Sequence, residues 1–259
     1  MMPSATEFSS QCVGRLCRDL ATSPVMVELP ASEFVMGENK DDKFANDTER
    51  PAHLVCIRGG LSLGRCPVTV GEFRHFRSEK APHDDDSLPV VGVSWHDATA
   101  YCAWLSNMTG GEYRLPSEAE WEFACRAGSD RLFAFGDHIS PAVANFLYDE
   151  HGRRIGAGRP LAVGSYLPNA FGLQDLHENV CEWVEDTWHS NYVGAPADGR
   201  AWVDLDNPCR VVRGGAWDYM PRLLRSAWRD WRPADQRSDN VGFRVATHRQ
   251  SGLTHLVGG

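Results

Sequence analysis

The stretch RGGAWDYMPRLLRSAWRDWRPADQRSDNVGFR, residues 213–244, holds seven arginines (Arg213, Arg222, Arg225, Arg229, Arg232, Arg237 and Arg244) and no lysine. Set among them are Trp217, Tyr219, Trp228, Trp231 and Phe243. A planar guanidinium stacks on an aromatic ring while its forked N–H groups grip carboxylate, phosphate or backbone carbonyl. Four aspartates (Asp218, Asp230, Asp235, Asp239) offset the seven arginines only in part, so the segment is net positive inside a chain of formal charge −9. Two readings stand side by side. In one, Arg–Asp and Arg–carbonyl bonds hold a long irregular loop in shape; in the other, the segment is a ligand-facing surface. Some arginines can turn inward while others line a cleft.

Upstream of this segment, from about residue 129, short apolar stretches alternate with Gly, Pro, Asn and Asp, and helical periodicity is absent. That pattern predicts irregular α+β structure held by polar networks. Further upstream, three helix starts carry the reciprocal Ser/Thr and acid spacing of a capping box: Thr69 with Glu72, Ser94 with Asp97, and Ser117 with Glu120. The second helix stripes Ala98, Tyr101, Cys102 and Leu105 and stops at Gly110-Gly111. The third stripes Trp121, Ala124 and Cys125 and stops near Gly128. Strands are expected within 25–37 and 52–69, where apolar and polar residues alternate before glycine. Residues 1–24 read as a lead-in, with Phe8, Cys12, Val13, Leu16 and Leu20 on one helical face. Residues 247–259 read as a mobile tail. Between them lies one domain, residues 25–246, without a linker-like break, repeat or low-complexity segment.

The 259 residues include 42% apolar residues and nine tryptophans, enough for a packed core. An acidic total argues against a nucleic-acid partner. No apolar run reaches bilayer length, and residues 1–24 lack the apolar centre of a secretion signal, so no membrane partner and a cytoplasmic location are expected. Eight cysteines are scattered through apolar patterns and do not punctuate loops, which predicts mostly buried, reduced thiols. The run His83-Asp84-Asp85-Asp86 reads as a solvated loop. There is no HExxH, no G-x-S-x-G and no phosphate-binding glycine loop.

Three blocks, GGEYRLPSEAEWEFACRAG (110–128), NAFGLQDLHENVCEW (169–183) and RVVRGGAWDYMPRLLRSAWRDWRPADQRSDNVGFR (210–244), together resemble the formylglycine-generating enzyme, or sulfatase-modifying factor, family. The likeness extends over residues 25–246. It implies a single irregular C-type-lectin-like α+β domain with little regular secondary structure. In the family, enzymes that oxidise a sulfatase cysteine to formylglycine carry two cysteines just after the RGGS motif, where copper binds and oxygen is activated; paired thiolates suit Cu(I). Here that stretch reads GGAWDYMPRLLRSAW, with no cysteine and with Ala216 in place of the serine. A displaced pair, Cys181 with Cys209, is one alternative, and simple burial of both is the other.

The resemblance also implies structural calcium. Asn179 and Glu182 match the family's N-V-x-E-W ligands, Asn145 matches an upstream Ala-Asn position, and Asp149 is a looser candidate. The bland reading is that these residues cap local turns. Glu178 adds a second carboxylate beside Asn179. A redox metal, copper or iron, is left open. The cleft residues expected to bind a substrate are Trp217, Asp218, Arg222, Trp228, Arg229, Trp231, Arg237 and Asn240; Asn240 matches a family active-site asparagine, and the others follow from position in the segment. The expected function is oxidative modification of a peptide or small molecule, an anionic one suiting the local positive charge, without standard formylglycine formation. The alternative is a non-catalytic binding module on the same scaffold.

Overall fold

The computed structural model describes residues 14–38, 42–78 and 85–248. Along these residues the elements are β1 (Leu16–Cys17), β2 (Met26–Glu28), β3 (Ser32–Met36), β4 (His53–Ile57), β5 (Leu61–Gly64), α1 (Val70–Arg74), α2 (Trp95–Thr109), β6 (Tyr113–Arg114), α3 (Glu118–Arg126), β7 (Cys181–Thr187), β8 (Cys209–Arg213), β9 (Arg229–Pro233), β10 (Val241–Phe243) and β11 (Ala246–His248).

All three capping boxes form. Thr69, Ser94 and Ser117 each accept the backbone N–H of the acid three residues on, and each acid reaches back to the cap N–H. Helix α2 ends at Gly110 in the left-handed region (φ 73°), and its stripe of Ala98, Tyr101, Cys102 and Leu105 is buried. Helix α3 departs from expectation. All nine of its residues are buried, including Glu118, Glu120 and Glu122, so it is a core helix and not an amphipathic one.

Three sheets surround the helices: a five-stranded sheet β1-β2-β5-β11-β6, a four-stranded sheet β10-β7-β8-β9, and the hairpin β3-β4. Strand β11 lies between β5 and β6, joining the end of the described chain to its beginning. The expected lead-in helix is not present where the chain is described. Leu16–Cys17 is a strand paired with Met26–Val27, because backbone pairing outcompetes a helical stripe that spans barely two turns. Residues 8–13 of that stretch lie outside the described residues. So do 249–259 of the expected tail, whose first residues, Thr247 and His248, belong to β11.

Strands β7 and β8 divide the interior. Cys181, Trp183 and Val212 face one cluster with Phe73, Tyr101, Leu105 and Phe243. Val184 and Val211 face another with Trp121, Phe123, Leu63 and Ala246. A sheet covered on both faces leaves no solvent-facing side for charged residues, so any arginine on it must find an internal partner. Cys102, Cys125 and Cys181 are buried, Cys17, Cys66 and Cys209 are half-buried and Cys56 is exposed; all seven are free thiols. The expectation of mostly buried cysteines thus holds for fewer than half of those described. His83 and Asp84 lie outside the described residues; Asp85 accepts the Ser87 amide and Asp86 pairs with Arg74.

Candidate functional site

Four of the seven arginines of 213–244 turn inward. Arg229 grips Glu118 with two parallel bonds (2.7 and 2.8 Å) and stacks on Trp188 and Tyr192. Arg225 grips Glu49 the same way (2.7 and 2.8 Å) and also reaches Asp42 at 2.7 Å. Arg244 grips Glu182 (2.6 and 2.7 Å) and donates to the carbonyls of Gly64 and Gln174. Arg213 pairs with Glu122 and Glu118 and donates to the carbonyls of Ser226 and Ala227. Two of the α3 glutamates, Glu118 and Glu122, are thus counter-charges of Arg229 and Arg213, while Glu120 pairs with Arg114. Gly215 lets the ribbon turn here: its φ is +72°, and a Cβ would stand 2.3 Å from a Leu224 methyl and 2.7 Å from the Leu223 carbonyl oxygen.

This burial corrects part of the expected cleft. Arg229 is a buried scaffold residue, and Trp228 is 5% exposed, packed edge-to-face on Tyr219 at 5.6 Å. The other expected residues remain nearer solvent. Arg222 is exposed and lies 3.9 Å from Glu150. Arg237 bonds the Asp97 side chain. Trp231 is 41% exposed on β9, at the edge of its sheet. None of the eight lines any of four cavities of about 420, 300, 640 and 490 Å³.

A smaller polar cluster does assemble at the ribbon's half-buried start. Asn240 donates to both carboxylate oxygens of Asp218 at 3.1 Å. Next to it the Tyr219 hydroxyl accepts from Arg232 at 3.0 Å and interacts electrostatically with the Cys181 thiol. Arg232 is itself held by Asp230 at 2.5 Å. The backbone ties the two halves together, since the Cys181 amide donates to the Asn240 carbonyl at 2.9 Å. Trp217 completes the group: its indole N–H is buried and has no partner among the described residues. Burial pushes the Cys181 thiol up to about 12, and burial also raises the Tyr219 phenol. At neutral pH both groups are therefore protonated hydrogen-bonding groups, and Cys181 is no thiolate. Sequence reasoning named Trp217, Asp218 and Asn240 but not Tyr219, Arg232 or Asp230. The signal that could have found Tyr219 is its place between Asp218 and the ring of Trp228.

The metal expectations fare unevenly. Cys181 starts β7 beside β10, whereas Cys209 starts the antiparallel β8 at the opposite end, with Glu182 opposite Arg213 and Thr187 opposite Arg210. Four residue steps along β8 take Cys209 to Arg213, about 13 Å of chain, so the two thiols do not meet. The dithiolate donor set for copper is not formed. Both oxygens of Glu182 are taken by Arg244, and one also accepts the Trp121 indole N–H at 2.9 Å. Asp149 caps its own exposed turn through His151 and Arg153. Asn145 and Asn179 do lie together, Asn145 donating to the Asn179 side-chain oxygen at 3.1 Å, with Glu178 accepting the Asn145 amide. Burial, and then Asp175, push Glu178 up to about 9. Asn179 and Glu182, expected to serve one calcium site, thus face different partners, Leu161 and Arg244, and no group of three His, Cys, Asp or Glu suited to a metal occurs among the described residues. No helix among them is long and apolar enough to cross a membrane.

Comparison with known proteins gives a match to the family described as "Sulfatase-modifying factor enzyme 1-like domain" over residues 13–249. The formylglycine-generating enzyme of Streptomyces coelicolor is 36% identical over 85% of this chain and 88% of its own length. The inactive C-alpha-formylglycine-generating enzyme 2 of Mus musculus is 29% identical, covering 88% and 87%. The hercynine oxygenase of Mycolicibacterium smegmatis is 29% identical, covering 85% and 60%. Among solved structures, PvdO from Pseudomonas aeruginosa superposes with a TM-score of 0.85 at 33% identity, over 93% of this chain and all of that one.

Proposed function

We propose, from the premise that this chain belongs to the sulfatase-modifying factor enzyme 1-like family, that it oxidatively modifies a peptide or small molecule other than a sulfatase cysteine. The substrate sits against the Trp217, Asp218, Tyr219 and Asn240 surface, with Trp231, Arg222 and Arg237 toward solvent. The observation that carries this reading is Cys181: its thiol, beside the Tyr219 cluster, is buried and protonated, so no thiolate pair stands ready for the family's cysteine chemistry. Kinship with an oxygenase supports the oxidative class. The site's own groups suit holding a polar substrate: Asp218 and Asn240 present acceptor and donor atoms side by side, and Arg222 and Arg237 favour an anionic one. Calcium, where bound, would be held by the oxygens of Asn145, Asn179 and Glu178 and not by Glu182 or Asp149. The free thiols fit a reducing, cytoplasmic setting.

A second reading, a binding module without turnover, is favoured by the same sealed thiol and by the extent to which the arginines serve the scaffold. One experiment separates them. Purified protein is incubated with copper or iron under oxygen, with cysteine peptides of sulfatase type and with anionic metabolites, while oxygen consumption and product mass are followed. Turnover of a non-cysteine substrate, reduced at least tenfold in Asn240→Ala, supports the first reading. Formylglycine formation refutes it, and saturable binding without oxygen uptake selects the module.

A further inference from the structure

The largest of the four cavities, about 640 Å³, lies between the end of β5, the start of α1 and the 163–164 and 174 loops, and shares no lining residue with the Tyr219 cluster. Its size is that of an ordinary small-molecule site. Most polar groups on its walls are already committed. The Glu72 carboxylate accepts the Thr69 amide at 2.9 Å in the cap of α1. The Gln174 amide donates to the carbonyls of Gly164 and Tyr166, and the Ser87 hydroxyl donates to Asp85. Asp86 pairs with Arg74, and Arg18 lies 3.9 Å from Glu72.

Arg65 is the exception. It follows β5 directly and is anchored by its backbone, donating its amide to Val25 and accepting from Gln174. Its side chain makes no hydrogen bond and no ion pair among the described residues, and its Nε is buried without a partner. Arg213, Arg225, Arg229 and Arg244 each hold a carboxylate, whereas Arg65 holds none among the described residues. Asp175, a buried acid that feels the Arg65 charge, makes no ion pair with it and accepts the Gly164 amide. A half-buried cation bears a desolvation cost that a ligand oxyanion would return. His75 and Arg18 on the rim add to the positive side, and Pro24, Val25, Pro67 and Val163 supply apolar wall.

We propose that this cavity binds a small molecule bearing a carboxylate or phosphate, with the Arg65 guanidinium as its anchor. Titration calorimetry of the full chain with succinate, inorganic phosphate and neutral succinamide tests it. The expected result is saturable binding of one or both anions and none of succinamide, with affinity at least tenfold weaker in Arg65→Met and partly kept in Arg65→Lys; which anion binds more tightly distinguishes a carboxylate from a phosphate source. A second measurement needs no variant: the binding anion should protect Arg65 from modification by phenylglyoxal, read by peptide mass. Equal affinity in Arg65→Met, no binding of either anion, or no protection of Arg65 overturns the proposal.

Discussion

Replacing Glu182 with Gln separates two roles for one residue. The carboxylate is fully buried and takes three bonds, two from Arg244 and one from the Trp121 indole. Gln keeps the shape and removes the charge, leaving the Arg244 guanidinium buried with only carbonyl partners. Breaking one side of such a pair costs about 3–5 kcal/mol. For a chain of this size that lowers Tm by roughly 10 °C, at about 2–4 °C per kcal/mol. A double replacement, Glu182→Met with Arg244→Met, removes both charges and should recover most of the loss. Thermal melts followed by circular dichroism, each with EDTA and with added calcium, provide the readout. The pairing argument expects the Glu182→Gln penalty to be the same in both buffers. Were Glu182 a calcium ligand, EDTA would destabilise the wild type and leave the variant unchanged. That pattern would refute the assignment of Glu182 to Arg244.

The same logic applied to the ribbon expects Arg229→Met to cost about 3 kcal/mol by taking the two-bonded partner from Glu118, which then keeps only Arg213 and the Tyr192 hydroxyl among the described residues, whereas Trp231→Ala, at a half-exposed edge position, should stay within about 0.5 kcal/mol in urea titrations. Burial, and then the neighbouring Glu118, raise Asp186 to about 8, so the folded chain holds a proton that the unfolded chain has released. Its stabilisation is complete below the ordinary aspartate value and is lost as pH rises toward 8. His177, which burial lowers to about 4, acts in the opposite sense only below its ordinary value of 6.5. Glu178, raised to about 9, acts in the same sense as Asp186. Urea midpoints should therefore fall between pH 6.5 and 8, by up to about 1.4 kcal/mol per pH unit from each of Asp186 and Glu178, and Asp186→Asn should halve that slope. Thiol titration of the native protein should label exposed Cys56 first, with Cys66, Cys125 and Cys181 slow because burial holds each near 12; rapid labelling of Cys181 would contradict the sealed site.

What could be read from sequence follows the range of the interaction that decides it. The three capping boxes join residues three apart, so Thr69, Ser94 and Ser117 announce their helices without help from the rest of the chain. The arginine ribbon invited a local accounting, in which its own four aspartates seemed the natural counter-charges. Of these Asp230 does pair with Arg232, and Asp218 instead holds Asn240. The buried arginines look elsewhere: Arg229 to an acid 111 residues away, Arg225 to one 176 away and Arg244 to one 62 away. No window of sequence contains those pairs, and glutamates of α3 that look solvated by helical period are in fact interior. The consequence reaches function. An arginine-rich, tryptophan-rich segment read alone suggests a recognition cleft, yet four of its seven arginines are spent inside, and Arg222 and Arg237 are the arginines left exposed, beside the half-buried Tyr219 and Asn240. Arg65 shows the converse. In sequence it is an unremarked residue after a strand, and only in space does it stand out, as a guanidinium in a cavity whose carboxylates are all bonded to other groups.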